Sequence, residues 1–102
     1  MAQPAIRITH EDFGTSGRYA AQIPGADGEA ELTWHSGGPG VIVADHTLAP
    51  DTMRGSGVAM ALVQRLIDDA RRQGMQIVPS CTYVRAQFDR HPEWAELRAG
   101  IA

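Results

Sequence analysis

The stretch from Ser56 to Gln73 limits this chain more than any other. Ala59, Leu62, Val63, Leu66, Ile67 and Ala70 recur at helical spacing, and Asp68, Asp69, Arg71 and Arg72 fall on the opposite side. Gly74 follows as a helix stop. Short apolar runs flank the helix: Val41 to Leu48 before it and Met75 to Pro79 after it. A strand, a helix and a strand in that order close onto one sheet as a parallel pair through a right-handed crossover. The remaining residues must extend that sheet and cover the helix.

Upstream, Pro4 to Thr9 alternates, with Ile6 and Ile8 on one side. Phe13-Gly14 and Ser16-Gly17 read as a turn, and Arg18 to Ile23 as a second strand. Ala30, Leu32 and Trp34 alternate with Glu31, Thr33 and His35, the pattern of a half-buried antiparallel strand. Ser36 to Gly40 is a glycine-rich hairpin turn. Downstream, Val84 to Arg90 reads as a helix ended by His91-Pro92, and Glu93 to Leu97 as a short turn or helix. The expectation is an α+β fold: a mixed five-stranded sheet, one long central helix and a short C-terminal helix, in a single domain over residues 1–102. Trp34 and Trp94 are expected in the core.

Composition removes several function classes. The chain is 43% hydrophobic and 21% charged, a globular balance rather than a disordered one. A net charge of −3 offers no surface for nucleic acid. With Cys81 as the only cysteine, no internal disulfide can form, which suits a reducing compartment. The N-terminal run has no apolar h-region, and no apolar stretch has the length of a membrane span. The expectation is a cytoplasmic protein without a membrane partner. No long apolar exposed stripe calls for a dimer, so a monomer is expected. His10, His35 and His91 have no ligand spacing and read as surface or structural, so no metal site is expected.

Directly before the long helix stands Arg54-Gly55-Ser56-Gly57-Val58-Ala59, an Arg-x-x-Gly-x-Ala turn. Glycine lets backbone approach a ligand with no Cβ in the way. The first helical turn leaves N–H groups unpaired, and the helix dipole adds positive charge there. A phosphate or pyrophosphate suits such a place, and Arg54 can add a charged contact. The plainer alternative is a flexible loop with Ser56 as helix N-cap. No Gly-Lys-Ser/Thr ending follows, so this is not a Walker loop. The third glycine of a dinucleotide fingerprint is also missing.

The strand, the turn and the helix together resemble the acetyl-coenzyme A binding core of the GNAT acetyltransferases. AELTW (Ala30 to Trp34), HTLAPDTMRGSGVAMALV (His46 to Val63), ARRQGMQIVPSCTYV (Ala70 to Val84) and HPEW (His91 to Trp94) are similar to the small GNAT-like N-acetyltransferase family of roughly one hundred residues. The resemblance runs from about Ala30 to Leu97. The common turn has Gln at the place of Ser56 and Gly at that of Ala59, which leaves a backbone grip intact.

The resemblance implies acetyl-coenzyme A as co-substrate and an amine of unspecified identity as acceptor, attacking the thioester directly. It implies a pyrophosphate on the amides of Arg54, Gly55, Ser56, Gly57, Val58 and Ala59. It also implies a pantetheine arm between splayed strands four and five, along the backbone of His46, Thr47 and Leu48, where an N–H could stabilise an oxyanion. Cys81 is a candidate nucleophile or acid for the departing thiolate, or else a small buried hydrophobe. His46 is a candidate general base, or a strand-end histidine bonded to its neighbours. Tyr83 is a candidate general acid, a role tyrosine often fills in that superfamily, or a residue lining the acceptor groove. Larger relatives have further strands that build an acceptor pocket, so here an open acceptor side is expected. The alternative class is a non-catalytic acyl-coenzyme A sensor or interaction domain.

Overall fold

The computed structural model describes residues 5–99. The elements in chain order are β1 (Arg7–Asp12), β2 (Ser16–Gln22), β3 (Ala30–Ser36), β4 (Val41–Leu48), α1 (Val58–Gln73), β5 (Gln76–Pro79) and α2 (Thr82–Arg90), with 3-10 turns at Asp51–Met53 and Pro92–Leu97. The strands lie in the order β1-β2-β3-β4-β5. The first four pair antiparallel, and β4 and β5 pair parallel across α1. This is the expected mixed sheet with a long helix and a short second one.

α1 begins one residue after Gly57, which sits at φ 80° as its N-cap. It ends at Gly74, whose φ of 67° lets its N–H reach back to the carbonyls of Ala70 and Arg71. Leu62, Val63, Leu66, Ile67 and Ala70 are fully buried. They meet the inward residues of the sheet: Tyr19, Ala21, Ala30, Leu32, Trp34, Ile42, Ala44 and Ile77. Val84 and Phe88 of α2 and Trp94 join the same cluster, with Phe88 and Trp94 edge to face at 5.5 Å. Both helices therefore cover one face of the sheet, and among the described residues the other face carries no helix.

Three expectations need correction. The first strand lies at Arg7–Asp12 rather than Pro4 to Thr9, and Pro4 is outside the described residues. Pairing from Arg7 with Gln22 to Asp12 with Gly17 decides the span, while the inward phase of Ile6 and Ile8 is kept. Gly17 is a strand residue, not a turn residue. A Cβ there would come within 2.5 Å of both the Glu11 carbonyl and the Trp34 ring, so glycine is what lets Trp34 lie against β2.

The third correction is Asp69, expected on the solvent side of α1 but only 4% exposed. The buried Tyr19 hydroxyl donates to its Oδ2 at 2.8 Å. Arg65 donates to it from one turn earlier at 3.2 Å, and Arg72 from one turn later. Helical periodicity marks Asp69 as polar, but a tyrosine on the facing strand supplies the partner that makes its burial tolerable. His10 stacks on the Tyr19 ring at 4.1 Å and accepts a hydrogen bond from Trp34 Nε1 at 3.1 Å, a structural role.

Candidate functional site

β4 and β5 pair only over Val41–Ala44 against Gln76–Pro79. β4 runs on to Leu48, held on its other side by β3 as far as Glu31. β5 stops because Ser80 and Cys81 turn the chain into α2, with the Cys81 N–H donating to the Ala44 carbonyl at 2.9 Å. Among the described residues, the edge of β4 beyond Ala44 on the β5 side therefore has no strand partner. A wedge opens there, with Cys81 at its base. α1 starts just after β4, and α2 just after β5, so both helix N-termini lie at the end of the sheet where the wedge opens. Crevices at the carboxyl ends of diverging parallel strands are where α/β sheets take ligands.

The α1 start carries the feature that a phosphate requires. Gly55 and Gly57 have φ of 78° and 80°. A Cβ built on either meets nothing within 4 Å, so the space over this turn is open. Ser56 is not the N-cap, as the loop alternative had it, since Gly57 occupies that position. The Ser56 hydroxyl instead donates to the Met53 carbonyl at 2.6 Å and accepts from the Val58 N–H at 3.2 Å, bracing the turn. Among the described residues, the amides of Gly55, Gly57, Ala59 and Met60 have no acceptor. No acidic residue stands in the first turn of α1 to compete with an anion. Arg54 is exposed and paired with Asp51 at 3.0 Å, an ion pair loose enough for the guanidinium to turn to a ligand. These residues fit a pyrophosphate.

A β-bulge decides what surrounds the wedge. Thr33 pairs with His46 but Trp34 pairs with Ala44, so Asp45 is an extra residue in β4. Strict alternation would put His46 on the core face with Ile42 and Ala44. The bulge reverses that. His46 moves to the helix-free face with Thr33, while Thr47 moves to the core face with Leu32. There the Thr47 hydroxyl lies 3.4 Å from Cys81 Sγ, and Cys81 is 6% exposed. His46 Nε2 lies 3.2 Å from Glu31 Oε2, and its Nδ1 lies 3.4 Å from Thr33 Oγ1. The two sequence candidates therefore flank the wedge from opposite sides of the sheet and do not touch.

Tyr83, in the first turn of α2, is partly buried against the core, and burial raises its hydroxyl pKa above the ordinary tyrosine value. Leu48 ends β4 exposed on the side of His46. Sequence reasoning gave no weight to Glu31, Thr33, the Met60 amide or Arg18. Glu31 and Thr33 were visible as the polar side of β3. Their partner was not, because it depends on the bulge register. Among the described residues, no group of three or more His, Cys, Asp or Glu side chains is placed to hold a metal ion, and no helix is long and apolar enough to cross a membrane.

A parallel pair that opens beside a glycine-lined helix start, on a sheet otherwise antiparallel, is the frame of an acyl-coenzyme A N-acyltransferase fold. The model of the GCN5-related N-acetyl-transferase family matches residues 18–97, and the chain belongs to that family. Among solved structures, a GCN5-like protein of Staphylococcus aureus, determined in solution by NMR, matches with a TM-score of 0.68. The match covers 100% of this chain and 94% of that one at 23% sequence identity, and it bears on the fold.

Proposed function

We propose that the protein transfers the acetyl group of acetyl-coenzyme A to an amine by direct attack within a ternary complex, as a cytoplasmic monomer. One observation carries the reading: the wedge beyond Ala44 and the amides of Gly55, Gly57, Ala59 and Met60, which have no partner among the described residues, open at the same end of the sheet. The pyrophosphate rests on those amides and on Arg54. The pantetheine arm runs along the free edge of His46, Thr47 and Leu48. When bound, the coenzyme supplies the acetyl thioester. An N–H of the β4 edge polarises its carbonyl, and His46 takes the proton of the attacking amine. Cys81 or Tyr83 returns a proton to the departing sulfur. The wedge holds the reacting groups together, which lowers the barrier through proximity and orientation.

A second reading has its own support. His46 and Cys81 lie on opposite faces and no nucleophile–base pair is preassembled, as suits a domain that binds acyl-coenzyme A without turnover. Release of free thiol from acetyl-coenzyme A, measured with peptide N-termini, lysine side chains and small polyamines, separates the two. The enzyme reading expects amine-dependent release that falls by about 10² or more in His46→Ala. Binding with no release above background for any amine would leave the sensor reading standing.

A further inference from the structure

His46 is 58% exposed on its side chain, and an exposed imidazole spins between rotamers and tautomers unless something holds it. Here Glu31 stands beside it, with Oε2 3.2 Å from Nε2. Glu31 is itself held, since Arg18 Nη1 donates to its Oε1 at 2.8 Å. Arg18 is fixed in turn, through Nε to Glu11 at 2.6 Å and through Nη2 to Glu29 at 3.0 Å. The four side chains come from β1, β2, β3 and the turn before β3, and all lie on the helix-free face. This chain of contacts reaches His46 on β4 at one end, and at the other Gln22 also donates to Glu29.

The geometry points to Glu31, anchored by Arg18, as a positioning residue that holds His46 in the Nε2–H tautomer, leaving Nδ1 as the unprotonated nitrogen beside the Thr33 hydroxyl on the helix-free face. This deepens the transferase reading and rests on it for its chemical half. A carboxylate accepts only, so the nitrogen facing Glu31 must carry the proton. Thr33 Oγ1, 3.4 Å from Nδ1, then occupies the place of an incoming N–H donor. In the transfer, the amine nitrogen forms its bond to the thioester carbonyl carbon. The proton it sheds goes to Nδ1. The C–S bond breaks with its electron pair leaving on sulfur, and His46 passes the proton to water. The acceptor therefore arrives over the bare sheet face, across from the side of Thr47 and Cys81.

The test has two arms. Long-range ¹⁵N–¹H spectra of histidine-labelled protein read the tautomer without any turnover. Wild type and Glu31→Gln, whose side-chain carbonyl still accepts, should show His46 protonated on Nε2, and Glu31→Ala should show a mixture. In the thiol-release assay, Glu31→Ala should lower kcat about tenfold, part of what a general base supplies. Its KM for acetyl-coenzyme A should stay unchanged, and Glu31→Gln should recover most of the rate. A mixed or Nδ1–H tautomer in wild type overturns the positioning claim, whatever the enzyme does. So does a kcat in Glu31→Ala equal to that of wild type. Turnover in wild type that His46→Ala leaves unchanged overturns the role of His46 and keeps the transferase. An Nε2–H tautomer in a wild type that turns over no amine sinks the proton-transfer half together with the transferase reading.

Discussion

Acetyl-coenzyme A at about 100 times its dissociation constant is expected to stabilise the protein by about 2.7 kcal/mol. For a domain of this size that is a rise in Tm of order 10 °C or more. The informative variant is Ala59→Glu. Gly57 is the more obvious target, but its φ of 80° means that any larger residue strains the apo protein as well. Ala59 is in the first turn of α1 with ordinary helical geometry. A carboxylate there meets the positive end of the helix dipole, so apo stability should hold or rise slightly. The same charge repels a pyrophosphate, so the ligand-induced shift should vanish. Differential scanning calorimetry of both proteins, with and without ligand, reads this directly. An undiminished shift in Ala59→Glu would remove the phosphate from the α1 start.

The second large effect concerns stability. Asp69→Ala should cost about 3 kcal/mol, because it leaves the buried Tyr19 hydroxyl without its acceptor. Most of that cost comes from the tyrosine, since Arg65 and Arg72 are exposed enough to find water. The same pair sets an alkaline limit. Burial first, and then the hydrogen bond to Asp69, hold the Tyr19 hydroxyl well above the ordinary tyrosine value of 10.0. With the folded pKa raised above the unfolded one, the contribution is complete below about pH 10 and is lost as pH rises beyond it. The raised value at Tyr83 acts in the same direction. Urea unfolding from pH 8 to 11 should therefore show wild-type stability falling at the alkaline end, with a shallower fall in Tyr19→Phe. Equal slopes in the two proteins would refute the coupling.

Elements set by local chemistry were legible in the sequence. β4 spans the expected Val41–Leu48, α1 stops at the expected Gly74, and the parallel crossover follows from strand–helix–strand order. Trp34 and Trp94 are buried as expected. What was not legible depends on partners distant in the chain. Gly17 looks like turn chemistry until Trp34 is laid against it. Asp69 looks solvent-facing until Tyr19 meets it across 50 residues. The facing of His46 and Thr47 depends on one extra residue, Asp45, and nothing in Val-Ala-Asp-His-Thr announces a bulge. The turn Arg54 to Ala59 could be singled out beforehand because its glycines precede a helix start, a local pattern. The Arg18–Glu31–His46 chain could not, because it joins three strands.

The central claim is that coenzyme A lies with its pyrophosphate on the α1 start and its pantetheine arm along the free edge of β4. Titration of ¹⁵N-labelled protein with coenzyme A, followed by amide chemical shifts, tests it most directly. The account predicts the largest shifts at Gly55, Gly57, Ala59 and Met60, with a second group at His46, Thr47 and Leu48, and little change along β1. Shifts confined to other parts of the molecule, or none at coenzyme concentrations of millimolar order, would contradict it.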